Sequence, residues 1–209
     1  MGKLPNTIHG LNPFLCISAL QKYVRRGMER EAQEIAAEMF YTSKSYASWV
    51  CKRLEVISHE DVGLAAPHLI PLVRTCCEQA REWYDAKKQG RGAPVMAVGT
   101  AIRALCRAPK SREGDHFHCA VGMPLLIEGK VPVIPDWVLD KHTTQGRAAG
   151  RGVDYFREVS AVLDQPPPVK DPYEDEAYRL WKLDEENEKK RAGRRATEPP
   201  PAADDELLF

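Results

Sequence analysis

The residues that could do chemistry in this chain are few and scattered. A glycine-spaced basic stretch carries Lys141, Arg147 and Arg151, with Arg157 further on, between Gly146, Gly150 and Gly152. Glycine lets backbone approach a phosphate closely, and arginine binds one through two parallel hydrogen bonds. The stretch therefore reads either as a contact for phosphate or single-stranded nucleic acid, or as a helix-terminating loop with solvated charges. The C-terminal residues Asp204, Asp205, Glu206, Leu207, Leu208 and Phe209 join an acidic run to three apolar side chains, behind the spacer Pro199-Pro200-Pro201. An unstructured end normally avoids large apolar residues. This one reads either as a docking peptide, with Phe209 filling an apolar pocket and the carboxylates meeting basic residues around it, or as a plain disordered end.

Other candidates fail on spacing. Gly122 and Gly129-Lys130-Val131 place six residues between the glycines and a valine after the lysine. A nucleotide-binding loop needs four residues, then Ser or Thr to hold magnesium, so no ATPase is expected. His116 and His118 lie two apart on an expected helix, roughly 200° around its axis, and cannot easily share a metal ion. Asp136, Asp140 and His142 read as a helix cap and a solvated face. The cysteines (Cys16, Cys51, Cys76, Cys77, Cys106 and Cys119) form no Cys-x-x-Cys pair and are expected as reduced, small hydrophobes in a core. No catalytic residue, metal or cofactor is expected.

Helices must position whatever these residues do. Asn12-Pro13 is a cap followed by proline at the first helical position, and Gly27 stops that helix. Leu15, Ile17, Leu20 and Val24 are its expected apolar face. Further helices are predicted over about 29–40 (Ala32, Ile35, Ala36, Met39, Phe40), 46–59 (Trp49, Val50, Leu54, Ile57), from 67 onward (Ile70, Val73, Cys76, Cys77, Ala80, Trp83, Tyr84) and 95–106. A sixth runs from a Ser111 cap through Val121, with Gly122 and Pro124 to break or kink it. Prolines make 131–135 extended, and Asp136 caps a short helix with Trp137 and Val138. Residues 153–163 close the body. A charged helix over 173–192 follows Pro166-Pro167-Pro168, anchored by Tyr178, Leu180 and Trp181. The expectation is an all-α protein with an N-terminal segment (1–12), a helical body (13–165) and a proline-punctuated tail (166–209).

Charge and length narrow the function. The 209 residues carry 30 basic and 30 acidic side chains, which excludes a simple basic nucleic-acid binder. Residues 1–165 hold 22 Lys/Arg against 18 Asp/Glu, and residues 166–209 hold 8 against 12, so body and tail have opposite sign. No apolar run of membrane length and no signal peptide is present, which argues for a cytoplasmic protein without a membrane partner.

Three stretches carry a family likeness: Ile17-Ser18-Ala19-Leu20-Gln21-Lys22; Arg53-Leu54 with Ile57-Ser58-His59-Glu60-Asp61-Val62-Gly63-Leu64-Ala65; and Ala108-Pro109-Lys110-Ser111. In that order and spacing they resemble the C-terminal region of the MgsA/RarA family of AAA+ ATPases, which includes the Werner-helicase-interacting ATPase. The resemblance covers about residues 13–165. It implies an all-helical oligomerisation domain, akin to clamp-loader collars, that assembles tetramers. The family acts at stalled replication forks and associates with single-stranded DNA-binding protein. The nucleotide-binding module has no counterpart here, so the ATPase activity is not carried over. The motif residues Ser58, Glu60, Asp61, Gly63, Pro109, Lys110 and Ser111 read as scaffold: Asp61 accepting backbone N–H groups of its turn, Gly63 at positive φ, Ser111 capping a helix. The 204–209 segment also resembles the acidic, phenylalanine-ending tips of bacterial single-stranded DNA-binding proteins and, without the glutamine, sliding-clamp peptides.

The expected function is a non-enzymatic oligomerisation and interaction protein of DNA replication or repair, a homo-tetramer. Its tail would recruit a replication protein such as a sliding clamp or an AAA+ ATPase. The alternatives are a single-stranded nucleic-acid-binding protein with a regulatory acidic tail, and a collar-like subunit completing a separately encoded ATPase.

Overall fold

The structure, a computed structural model, describes residues 5–86, 90, 92–165 and 171–197, with side chains as far as 193. All regular structure among them is helical: α1 (Pro13–Arg25), α2 (Glu29–Thr42), α3 (Lys44–Ile57), α4 (Leu69–Ala86), α5 (Gly92–Arg107), α6 (Glu113–Phe117), α7 (Met123–Ile127), α8 (Thr144–Ala148), α9 (Val153–Tyr155) and α10 (Glu174–Thr197). The chain groups into two compact units whose boundary lies between Val131 and Pro132, inside the stretch expected to be extended. The 13–165 body of the sequence reading spans that boundary.

In the first unit, α2 packs against α1, α3 and α5, and α4 packs against α3 and α5. Each helix turns one apolar stripe inward. Asn12 caps α1 through its side-chain oxygen, which accepts the N–H groups of Phe14 and Leu15. The buried stripe of α1 is Pro13, Cys16, Leu20 and Val24. Leu15, expected inside, is exposed: at about 100° per residue it falls off the 16/20/24 line, and Cys16 takes the core position. Ala32, Ala36, Met39 and Phe40 of α2 meet Val50, Leu54 and Ile57 of α3, Val73, Cys77 and Ala80 of α4, and Val98, Ile102 and Leu105 of α5. Burying each Leu, Ile, Val or Met of this set stabilises the fold by roughly 1.5–3 kcal/mol. Five cysteines are buried as small hydrophobes, while Cys119 is exposed.

In the first unit, two helix ends widen into π turns. α3 continues through Ser58–Val62 and closes on Gly63, whose N–H reaches the Ser58 carbonyl. Gly63 adopts φ +48°, which a side chain would strain. The sixth helix is likewise not broken at Gly122 and Pro124 but widened. α6 passes into a π turn over His118–Gly122, and α7 follows with Pro124 in its first turn. Proline has no N–H to donate, and the Met123 N–H reaches back five residues to the His118 carbonyl, so the chain turns on.

The second unit is a small aromatic-centred fold. Asp136–Val138 is a single 3-10 turn without a side-chain cap, so Asp136 is not the helix cap expected of it. The ring of Phe156 lies 5.0 Å from His142, 6.4 Å from Tyr178 and 6.3 Å from Trp181. The charged helix α10 therefore belongs to this unit. Its Glu185 carboxylate accepts the Val153 N–H at 2.9 Å, and Lys182 bonds Asp154. Gly152 makes that approach feasible, since a Cβ there would crowd the Glu185 carboxylate. Leu180, expected as an anchor, is 47% exposed. No helix among the described residues is long and apolar enough to cross a membrane.

Candidate functional site

The structure brings all three motif stretches to one junction in the first unit. Its centre is Asp61, 0% exposed, held in the π turn after α3. One carboxylate oxygen accepts the Arg25 Nε–H at 2.7 Å, and the other accepts Gln21 Nε2 at 3.0 Å. Gln21 in turn accepts Arg53 Nη1 at 3.1 Å. The Asp61 carbonyl accepts the Ser111 N–H at 3.0 Å, which ties the second motif to the third. Asp61 thus takes side-chain donors from α1 where backbone N–H groups of its own turn were expected. The reason is burial: a carboxylate shut away from the surface needs strong hydrogen-bond donors, and α1 supplies a guanidinium one turn beyond Gln21. The hydrogen bond to Asp61 raises the Arg25 pKa above its ordinary value, against the opposing effect of desolvation.

The remaining motif residues complete this junction. Glu60 sits 3.4 Å from Arg25 and 3.5 Å from Arg112. Ser58 is buried and its hydroxyl donates to the Glu55 carbonyl at 2.7 Å. Lys110 donates to the Cys106 and Ala108 carbonyls at 3.0 and 2.7 Å, closing the end of α5, and burial lowers its pKa. Pro109 is exposed beside it; the Ser111 hydroxyl accepts the Glu113 N–H at 3.1 Å, a local turn contact, but the residue at the N-cap of α6 is Arg112, so Ser111 is not the helix cap expected of it. Both Asp61 oxygens are engaged, so the junction locks three segments together. Sequence reasoning missed Arg25 and Arg112. Arg25 was findable, because it lies four residues from Gln21 on one face of α1.

The basic stretch is in the second unit, and its side chains are largely committed there. Arg151 donates to the carbonyls of Asp136 and Leu139 at 2.7 and 2.8 Å. It also binds both Asp136 carboxylate oxygens, and it stacks 4.5 Å from the Tyr155 ring. Arg157 pairs with Asp175 at 2.6 Å and lies over Tyr178, and that hydrogen bond raises its pKa. Arg147 donates to the Lys141 and His142 carbonyls at 3.2 Å. Lys141 sits 5.5 Å from the Trp181 ring, in a cleft of about 470 Å³ that Arg147, Glu185 and Glu188 also line. Asp140 accepts the His142 N–H and lies 3.1 Å from its ring nitrogen. That contact holds the Asp140 carboxyl below the usual carboxylate range. The glycines serve packing here: a Cβ on Gly146 would collide with the Asp140 backbone.

Among the described residues no group of three or more His, Cys, Asp or Glu could hold a metal ion. The docking peptide, Asp204, Asp205, Glu206, Leu207, Leu208 and Phe209, lies outside the described residues.

The three motifs meeting at one buried carboxylate give the family likeness a physical basis, and a whole-chain comparison points the same way. The chain is 28% identical over 141 residues to Replication-associated recombination protein A of Bacillus subtilis (strain 168). It is similar to a replication-associated recombination protein. The match takes in 66% of this chain and 31% of that relative's length. No family model matches the chain.

Proposed function

We propose that this chain is a non-enzymatic, self-associating scaffold of DNA replication or repair. In this reading it corresponds to the C-terminal oligomerisation region of the RarA family, and residues 204–209 recruit a replication protein such as a sliding clamp or an AAA+ ATPase. The similarity to a replication-associated recombination protein supports the setting. The observation that carries self-association is the segment from α6 to Val131. Phe117, Val121, Leu125, Leu126, Ile127 and Val131 are all exposed there, Leu126 by 88% and Val131 by 79%. A run of large apolar side chains left in water is the signature of an interface. Covering each contributes roughly 1.5–3 kcal/mol.

Light scattering at micromolar protein tests this. The expected mass is a multiple of the 23.5 kDa chain, four-fold for a tetramer. The double substitution Leu126→Asp and Ile127→Asp is expected to reduce it to the monomer without loss of helix by circular dichroism. A monomeric parent chain would end the reading.

The second reading, single-stranded DNA binding, is favoured by one observation. Lys141 lies beside the Trp181 ring in the cleft, a cation next to a surface on which a base can stack.

A further inference from the structure

A second surface of the first unit lies between α1 and α3. Phe14 and Ile17 of α1 face Trp49, Lys52, Arg53 and Val56 of α3 across an open groove of about 310 Å³. Phe14 is 62% exposed and Val56 44%, although the Phe14 and Trp49 rings meet at 5.5 Å. An aromatic pair beside arginine and lysine is the composition of a binding hot spot. The volume is at the low end for ligand pockets, enough for one or two anchoring side chains.

Charge says what the anchor belongs to. α1 contains no Asp or Glu, and its charged residues are Lys22 and Arg25. α3 has one acid, Glu55, which is held by Arg81 of α4 at 2.9 Å. Lys52 is exposed and makes no ion pair among the described residues, and Arg53 binds only the neutral Gln21. The rim of an apolar groove is therefore positive with no compensating carboxylate on either wall. At the far end of α1, Lys22 donates to the Ser18 hydroxyl and Arg25 is already neutralised by Asp61 and Glu60.

We propose that the α1/α3 groove docks a short acidic segment of a partner protein through one aromatic or aliphatic anchor. The anchor enters between Phe14, Ile17, Trp49 and Val56, and the flanking carboxylates meet Lys52 and Arg53. The oligomeric face at residues 117–131 is a separate surface, so the two readings stand or fall separately.

The test uses the synthetic peptide Asp-Asp-Glu-Leu-Leu-Phe, chosen because residues 204–209 have this chemistry and make it a natural probe. It is titrated into ¹⁵N-labelled full-length protein while the Trp49 indole N–H signal is followed. A parallel titration uses the Leu207→Ser, Leu208→Ser, Phe209→Ser variant, which removes any competing apolar end. The expected result is a saturable shift of the Trp49 signal in the variant. Lys52→Glu should weaken binding about tenfold, and raising salt from 50 to 200 mM should weaken it several-fold. The peptide Lys-Lys-Lys-Leu-Leu-Phe should bind at least tenfold worse. Phe14→Ser, at an exposed position, should weaken binding about tenfold with the helix content intact.

Three results overturn the proposal. One is equal binding of the two peptides. Another is binding indifferent to Lys52→Glu and Phe14→Ser. The third is a Trp49 signal that stays unmoved by peptide and shifts with protein concentration, which would make the groove an interface between copies of this chain.

Discussion

At the scale of single residues, Asp61 is the position where chemistry and fold coincide. A carboxylate shut away from the surface survives only because Arg25 and Gln21 donate to both of its oxygens. Removing one partner of such a pair leaves the other uncompensated, which costs more than the pair itself contributes. Asp61→Ala is therefore expected to lower stability by about 2–4 kcal/mol, measured by urea denaturation, whereas the exposed Glu78→Ala should change it by less than about 0.5 kcal/mol. Asp140 supplies a pH dependence. Its folded pKa is depressed, chiefly by the hydrogen bond with His142. A depressed carboxylate stabilises the fold above its unfolded value of about 3.9, and that contribution disappears as pH falls through the lower folded value. Acid titration followed at the Trp181 signal should show a transition there, and Asp140→Asn should remove it.

At the scale of elements, α3 and α6 turn by widening rather than by stopping. The π turns after α3 and α6 carry the chain past Gly63 and Pro124 with hydrogen bonds intact. One consequence is that Asp61 sits on a rigid turn rather than a loose loop. In the second unit, α8 depends on a missing side chain. Thr143 caps it through a 3.0 Å bond from the Gly146 N–H, and Gly146 lies against the Asp140 backbone. Gly146→Ala forces that backbone apart. A loss of about 1–3 kcal/mol is expected, seen as faster amide exchange across residues 140–148 than in the parent chain.

At the scale of the whole molecule, the basic stretch offers fewer phosphate contacts than its composition suggests. Arg151 and Arg157 are bound to Asp136 and Asp175, which leaves Lys141 and Arg147 facing the cleft. Each phosphate neutralised on a single strand contributes about −0.7 to the log–log salt slope, so two contacts predict about −1.4. Binding measured by anisotropy between 50 and 200 mM salt should show this, and Lys141→Ala with Arg147→Ala should flatten it. A slope near −3 would mean that Arg151 and Arg157 leave their carboxylates to bind DNA.

Local rules sufficed for the helical class and for most helix starts. Asn12-Pro13 is a cap wherever it occurs, and the 3.6-residue stripe through Ala32, Ala36, Met39 and Phe40 has one way to be buried. The motif residues stood out as a set because their types and order resemble those of a known family. Which of them touch was decided only by the tertiary structure. Asp61 lies 36 positions from Arg25 and 50 from Ser111, and no periodicity links residues so far apart. The same holds for the cations. Lys141, Arg147, Arg151 and Arg157 are alike in sequence, yet two of them are engaged by Asp136 and Asp175, carboxylates 15 and 18 residues away. A charge's availability depends on what the fold places beside it, and that is a three-dimensional quantity.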